Sequence, residues 1–159
     1  MTSRRISWVL LAYRLPREPS TPRSAVWRKL RRLGAAQVLD GLAALPLDAR
    51  NREQLEWLAD EVVEAGGEAS LWVGELGSAA QEREFASRMA ETVAADYRKL
   101  IEQAAAALAQ PLGKRRRTLA RLRRELRRIR ARDYFPPPER ERAQRALDDV
   151  APLVEEPVG

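Results

Sequence analysis

Residues 7–15, SWVLLAYRL, form a nearly continuous apolar run rich in β-formers and closed by Pro16. The run is too short for a free-standing helix, and its apolar character on both alternate sets of positions predicts a strand buried at the centre of a sheet. A central strand needs strands on both sides and helices over it, so the following residues are read for those partners. Thr21 is the expected N-cap of a first helix, with Pro22 at the first helical position. Ala25, Val26, Leu30 and Leu33 supply its apolar face, and Gly34 ends it, giving a helix over about residues 22–33. AAQVLDGLAALPL then divides at Asp40-Gly41, a dipeptide that favours tight turns, into two short strands joined by a hairpin or bulged bend.

Asn51 with Gln54 three residues on resembles a capping box, and Leu55, Leu58, Ala59, Val62 and Val63 continue at helical spacing. The Gly66-Gly67 pair reads as the stop of this second helix rather than as a phosphate cradle. ASLWVGEL, residues 69–76, returns to strand character. The order is β-α-β-β-α-β, that of the ferredoxin-like split βαβ unit, with two helices on one face of an antiparallel sheet. Trp8, Leu10, Leu30, Leu55, Leu58 and Trp72 are expected in its core.

Beyond this unit the apolar period stays helical. Phe85, Met89, Val93, Tyr97, Leu100, Ala104 and Leu108 recur every three or four residues, predicting a long helix over residues 81–109 that QPLG breaks. The stretch KRRRTLARLRRELRRIRAR, residues 114–132, carries Leu119, Leu122, Leu126 and Ile129 on one side, so the two helices are expected to form an antiparallel hairpin. DYFPPP closes the second arm, and a short helix over about residues 139–153 follows. The expected class is α+β: a ferredoxin-like unit over residues 1–77, then the hairpin and C-terminal helix over residues 78–159.

The 159-residue chain contains no Cys and no His. Disulfides, thiolate nucleophiles, imidazole bases and the usual zinc and copper ligand sets are therefore excluded, and no GxGxxG, Walker loop or metal-ligand spacing is present. No cofactor, no metal and no catalysis are expected. Carboxylate chemistry at Asp40 or Asp133 is the remaining enzyme reading, and these residues are read more simply as a turn residue and a helix-end residue. No apolar run approaches the length of a membrane span, and TSRRISWVLL stops being apolar at Arg14 without a cleavage site, so neither membrane insertion nor export is expected.

Charge is strongly divided along the chain. Residues 1–34 sum to +8, residues 35–113 to −8, residues 114–132 to +10 and the remainder to −4. The basic segment has eleven basic residues and one acidic residue, and its leucine stripe spans roughly 80° of the helix circumference, leaving the arginines to cover most of the rest. Two readings follow: a solvated helix face, or a surface for a polyanion. The partner arm, residues 75–109, has six acids and four bases, too few to neutralise the block. Phosphate contacts are accordingly assigned to Arg115, Arg116, Arg117, Arg121, Arg124 and Arg128, and secondarily to Arg28, Lys29, Arg31 and Arg32 of the first helix. No RNP pattern or zinc finger accompanies them, so base-specific readout is not expected.

The stretch WVLLAYRLPREPSTPRSAVWRKLRRLGA resembles the N-terminal domain of ChrB, the chromate-resistance regulatory protein. LDG, LP, REQLEWLA and GGEA follow in the same order, and RELRRIRARDYF resembles the end of that domain. The first 75 residues are also similar to the middle domain of the PaaX repressor and, more distantly, to small CRISPR adaptation nucleases. In those nucleases an Asp just after the first strand binds metal, and Arg14 stands at that position here, so nuclease activity is not expected. The ChrB resemblance implies a cytoplasmic regulator that binds promoter DNA and releases it when chromate is sensed. Longer members carry a further C-terminal domain; if chromate sensing needs that domain, this chain binds without sensing. The alternative is a protein-interaction module, or a homo-oligomer, docking through the apolar stripe of the hairpin without nucleic acid.

Overall fold

The computed structural model describes residues 4–153. It divides into two compact units, the first ending at Ala86 and the second beginning at Ser87.

The first unit contains β1 (Trp8–Arg14), α1 (Thr21–Leu33), β2 (Ala36–Leu39), β3 (Leu42–Pro46), α2 (Ala49–Glu64) and β4 (Glu68–Gly74). The four strands form one antiparallel sheet in the order β2-β3-β1-β4, the ferredoxin-like arrangement, with β1 central as its composition requires. Strand alternation then decides which residues are buried. Val9 and Leu11 of β1, with Ala43 and Leu45 beside them on β3, have no exposed surface, and with Val26, Leu30, Leu55, Leu58 and Val62 they make the helix-facing core.

Leu10 falls on the opposite face, between Ala44 and Trp72. Trp72 is 62% exposed and donates its indole N–H to Ser70 Oγ at 2.9 Å. The expectation that Trp72 is a core residue is thus corrected: its parity in β4 is set by the pairing with Leu10, not by its size. Trp8 shares that face yet is buried, because Phe85 meets it edge-to-face at 5.1 Å.

Two glycines are required by close approaches. Gly41, at φ 92°, turns the β2–β3 hairpin where a Cβ would lie 2.4 Å from the Tyr13 carbonyl oxygen. A Cβ on Gly67 would lie 2.3 Å from the Arg14 carbonyl oxygen, and its N–H is donated back to Val62, so the pair does stop α2.

The caps differ from the sequence expectation by one turn or less. Ser20, not Thr21, occupies the N-cap position of α1, and no side chain caps that helix. In α2 the cap is Asp48, whose Oδ1 accepts from Asn51 N–H at 2.6 Å. Asn51 lies one turn inside the helix, buried, donating to the Pro46 carbonyl at 2.9 Å rather than opening a capping box. Loss of an Asp cap costs about 1 kcal/mol. Asp48→Ala should therefore lower the urea midpoint of the protein by a matching amount, while Asp48→Ser should restore most of it.

The second unit is built from α3 (Ala79–Ala107), whose first turns belong to the first unit, α4 (Leu112–Ala131), α5 (Glu139–Val150) and a 3-10 turn (Ala151–Leu153). Val93, Tyr97, Leu100, Ala104 and Ala107 of α3, the four apolar residues of α4, and Ala143, Leu147 and Val150 of α5 form one buried cluster. The expected Leu108 lies past the end of α3 and is 43% exposed; Ala107 takes its place. Contacts run in opposite order along α3 and α4: Arg132 pairs with Asp96, Arg121 with Gln103 and Thr118 with Gln110, so the pair is antiparallel.

At the far end of this bundle Tyr97 donates to Asp133 Oδ2 at 2.7 Å, with both residues buried and Arg140 3.7 Å from the same oxygen. Burial first, and the bond to the Asp133 carboxylate second, push the Tyr97 hydroxyl well above its ordinary pKa. A raised folded pKa on a group that ionises to an anion stabilises the fold below the unfolded value and is lost as pH climbs above it. Stability should therefore hold to about pH 9 and fall above about pH 10, by up to about 1.4 kcal/mol per pH unit from this residue. Tyr97→Phe should be weaker at neutral pH by about 1–3 kcal/mol and should show less alkaline loss, which urea unfolding at pH 7, 9 and about 11 measures.

Candidate nucleic-acid interface

The segment 112–131 is helical because nearly every residue in it is Arg, Leu, Lys or Ala, good helix formers, and because its leucine stripe has a hydrophobic neighbour on two sides. Its N-terminus lacks a side-chain cap, with Pro111 at the cap position. Leu119, Leu122, Leu126 and Ile129 are all buried in the bundle. The stripe that the interaction-module reading would expose to a partner is thus already occupied by the protein's own helices.

The arginines sort by helical angle. Arg117, Arg121, Arg124 and Arg128 fall within about 60° of one another, centred opposite the leucine stripe, and repeat at spacings of four, three and four. They run along roughly 16 Å of helix at 1.5 Å per residue. All four are exposed, and Arg128 reaches Glu125 at 3.5 Å. Arg121 also contacts Gln103 at 3.2 Å. Such exposed contacts hold their side chains weakly.

Arg116, Arg123, Arg127 and Arg130 form a second exposed line on one flank. Of these only Arg116 was expected from the sequence as a contact residue. The spacing of seven, four and three that joins the other three to it is visible in the sequence once α4 has a fixed buried side.

Arg115 is placed differently from the rest. It lies at the same angle as the leucines and turns back over the C-terminus of α3, donating to the carbonyls of Ala107, Leu108 and Gln110 at 3.3, 3.3 and 2.9 Å. Those are carbonyls that a helix end leaves without partners, so Arg115 serves the inter-helix turn rather than the exposed stripe.

In α1 the second set also divides. Lys29 is ion-paired with Glu61 of α2. Arg28, Arg31 and Arg32 are exposed, and Arg31 lies over the ring of Trp27 at 5.0 Å from its centroid. Arg14 pairs across the ladder with Glu68 at 2.8 Å, both exposed. Asp40 sits exposed in the hairpin turn, and Asp133 is the buried partner of Tyr97, a role that residues 36 positions apart in the chain gave no local sign of. Among the described residues no group of three or more carboxylates is placed to hold a metal ion, and no helix is long and apolar enough to cross a membrane.

The arrangement presents positive charge in lines along the exposed side of α4. Guanidinium groups along a rigid rod suit bidentate contact with successive phosphates and carry no means of reading base edges.

No curated protein and no solved structure matches the chain significantly. The family model described as "Protein ChrB, N-terminal" matches residues 23–157, from the first turn of α1 through the helical bundle. With most of its length covered in this way, the chain belongs to the ChrB N-terminal family.

Proposed function

We propose that the protein is a cytoplasmic, non-catalytic DNA-binding regulator that holds the phosphate backbone along the exposed face of α4. Membership of the ChrB N-terminal family supports its association with chromate-resistance regulation. The observation that carries the DNA reading is the line Arg117, Arg121, Arg124 and Arg128, set opposite a buried stripe and containing no acid. With Arg116 beside it, the face offers five guanidinium groups, and five phosphate contacts imply a salt slope of about −4 to −5. Electrophoretic titration with a duplex of about 20 base pairs should show affinity falling several-hundredfold between about 50 and 200 mM salt. Absence of retardation at the lower salt would defeat the reading.

A second reading, association with a protein, is favoured by one observation. The sheet face shared by Leu10 and Trp72 presents an indole that is 62% exposed. Sedimentation of the DNA-free protein tests it, since a homo-oligomer or complex held there should weaken on Trp72→Ser.

A further inference from the structure

The sequence assigns α1 only a phosphate-contacting role, but its exposed face carries an aromatic ring among its charges. On one side Val26 and Leu30 are buried in the first unit. On the other lie Ser24, Trp27, Arg28, Arg31 and Arg32, all exposed, and the helix contains no acidic residue at all. Trp27 is 50% exposed although it follows the buried Val26 directly and stands three residues before the buried Leu30, and nothing in the apolar spacing of α1 requires an indole there.

Arg31, one turn on, sits over the ring at 5.0 Å from the centroid, an exposed cation–π contact, and half of the indole surface stays open to solvent. An exposed indole with cations on the same helix matches the two needs of an unpaired nucleotide: a flat apolar surface for the base, and positive charge for its phosphates. Duplex DNA offers only the second, because its bases are already stacked. An acidic peptide would use the arginines but gain little from the ring.

We propose that the Trp27 face of α1 is a stacking site for an unpaired base, so that the protein binds single-stranded nucleic acid there in addition to duplex phosphates on α4. This rests on the nucleic-acid reading above and extends it from backbone to base. The three neighbouring arginines position the strand, and Trp27 supplies the contact that distinguishes single from double strand. Because stacking on an aromatic side chain tolerates any base, the site has no sequence preference of its own.

The test uses the full chain, a fluorescein-labelled oligothymidylate and a labelled duplex of the same length, with binding read by anisotropy. Trp27→Ala should weaken oligothymidylate binding about tenfold, the effect of losing one stacked base. It should leave duplex binding within about twofold, since the phosphate contacts remain. Trp27→Phe should recover most of the loss, and circular dichroism should show both variants folded, as expected for a half-exposed side chain. Replacing Arg117, Arg121, Arg124 and Arg128 by Gln should do the reverse, reducing duplex binding and sparing the Trp27 effect. A quadruple variant that binds duplex normally would overturn the α4 reading while a persisting Trp27 effect upheld this one. Oligothymidylate binding unchanged by Trp27→Ala, an equal loss on both DNAs, or Trp27-dependent binding to phosphatidylserine vesicles in place of the oligonucleotide would overturn the stacking site.

Discussion

Leu122→Ala should destabilise the protein by about 2–5 kcal/mol, the range for removing a fully buried leucine and leaving a cavity. Leu122 has no exposed surface and belongs to the cluster that joins α3, α4 and α5. The same cluster includes Ala104 and Ala107 on α3 and Ala143 on α5, small residues that let helices approach closely and have no side chain long enough to refill a cavity. The site should therefore relax little, which puts the expected cost toward the upper part of that range. A domain of this kind has about 5–15 kcal/mol of total stability, so a single substitution would consume a large share of it. Urea unfolding followed by circular dichroism gives the change directly. A loss below about 1 kcal/mol would mean that Leu122 faces solvent, and the assignment of buried and exposed sides of α4 would be reversed.

The contrast with the arginines on the same helix is what makes the two lesions informative. Arg117, Arg121, Arg124 and Arg128 lie on the side of α4 away from the cluster, so their replacement by Gln keeps helix propensity and removes no buried contact. Leu122→Ala should loosen the fold without altering how the folded fraction meets DNA, and the arginine replacement should do the opposite.

Much of this was legible in the sequence where a local rule applied. The apolar run at residues 7–15, the Asp40-Gly41 turn and the Gly66-Gly67 stop each act within a few residues, and the β-α-β-β-α-β element order follows from connecting them. The leucine stripe of α4 was readable for the same reason, since helical spacing alone identifies a buried side.

What was not legible depended on partners distant in the chain. Trp72 looked like core because it is large and lies in an apolar strand, but its face was decided by register against Leu10, 62 residues earlier. Arg115 looked like any other member of its run. Its recruitment to the carbonyls of Ala107, Leu108 and Gln110 needed the turn between α3 and α4 to bring it there. The capping box at Asn51 failed through a shift of three residues: Asp48 caps α2 by accepting from Asn51 N–H, and Asn51 itself lies inside the helix. Trp27 was passed over because it falls outside the apolar stripe of α1, and that position is the reason it is accessible.

The largest functional effect should come from the four arginines together. Each phosphate contact contributes about −0.9 to the dependence of log K on log salt for duplex DNA. A single replacement should flatten the slope by only about 0.9, roughly a fifth of the total. Removing all four takes away most of the face at once, leaving Arg116 with the flanking arginines. The affinity loss should be greatest at low salt, where counterion release is most favourable, and should shrink as salt rises.

The direct measurement is the slope of log K against log salt for the wild type and for the Arg117→Gln, Arg121→Gln, Arg124→Gln, Arg128→Gln variant on the same duplex. The wild type should give about −4 to −5 and the variant about −1, a flattening of about 3 to 4. Equal slopes, or a wild type that binds no duplex at low salt, would contradict the account and leave the arginines as a solvated helix face.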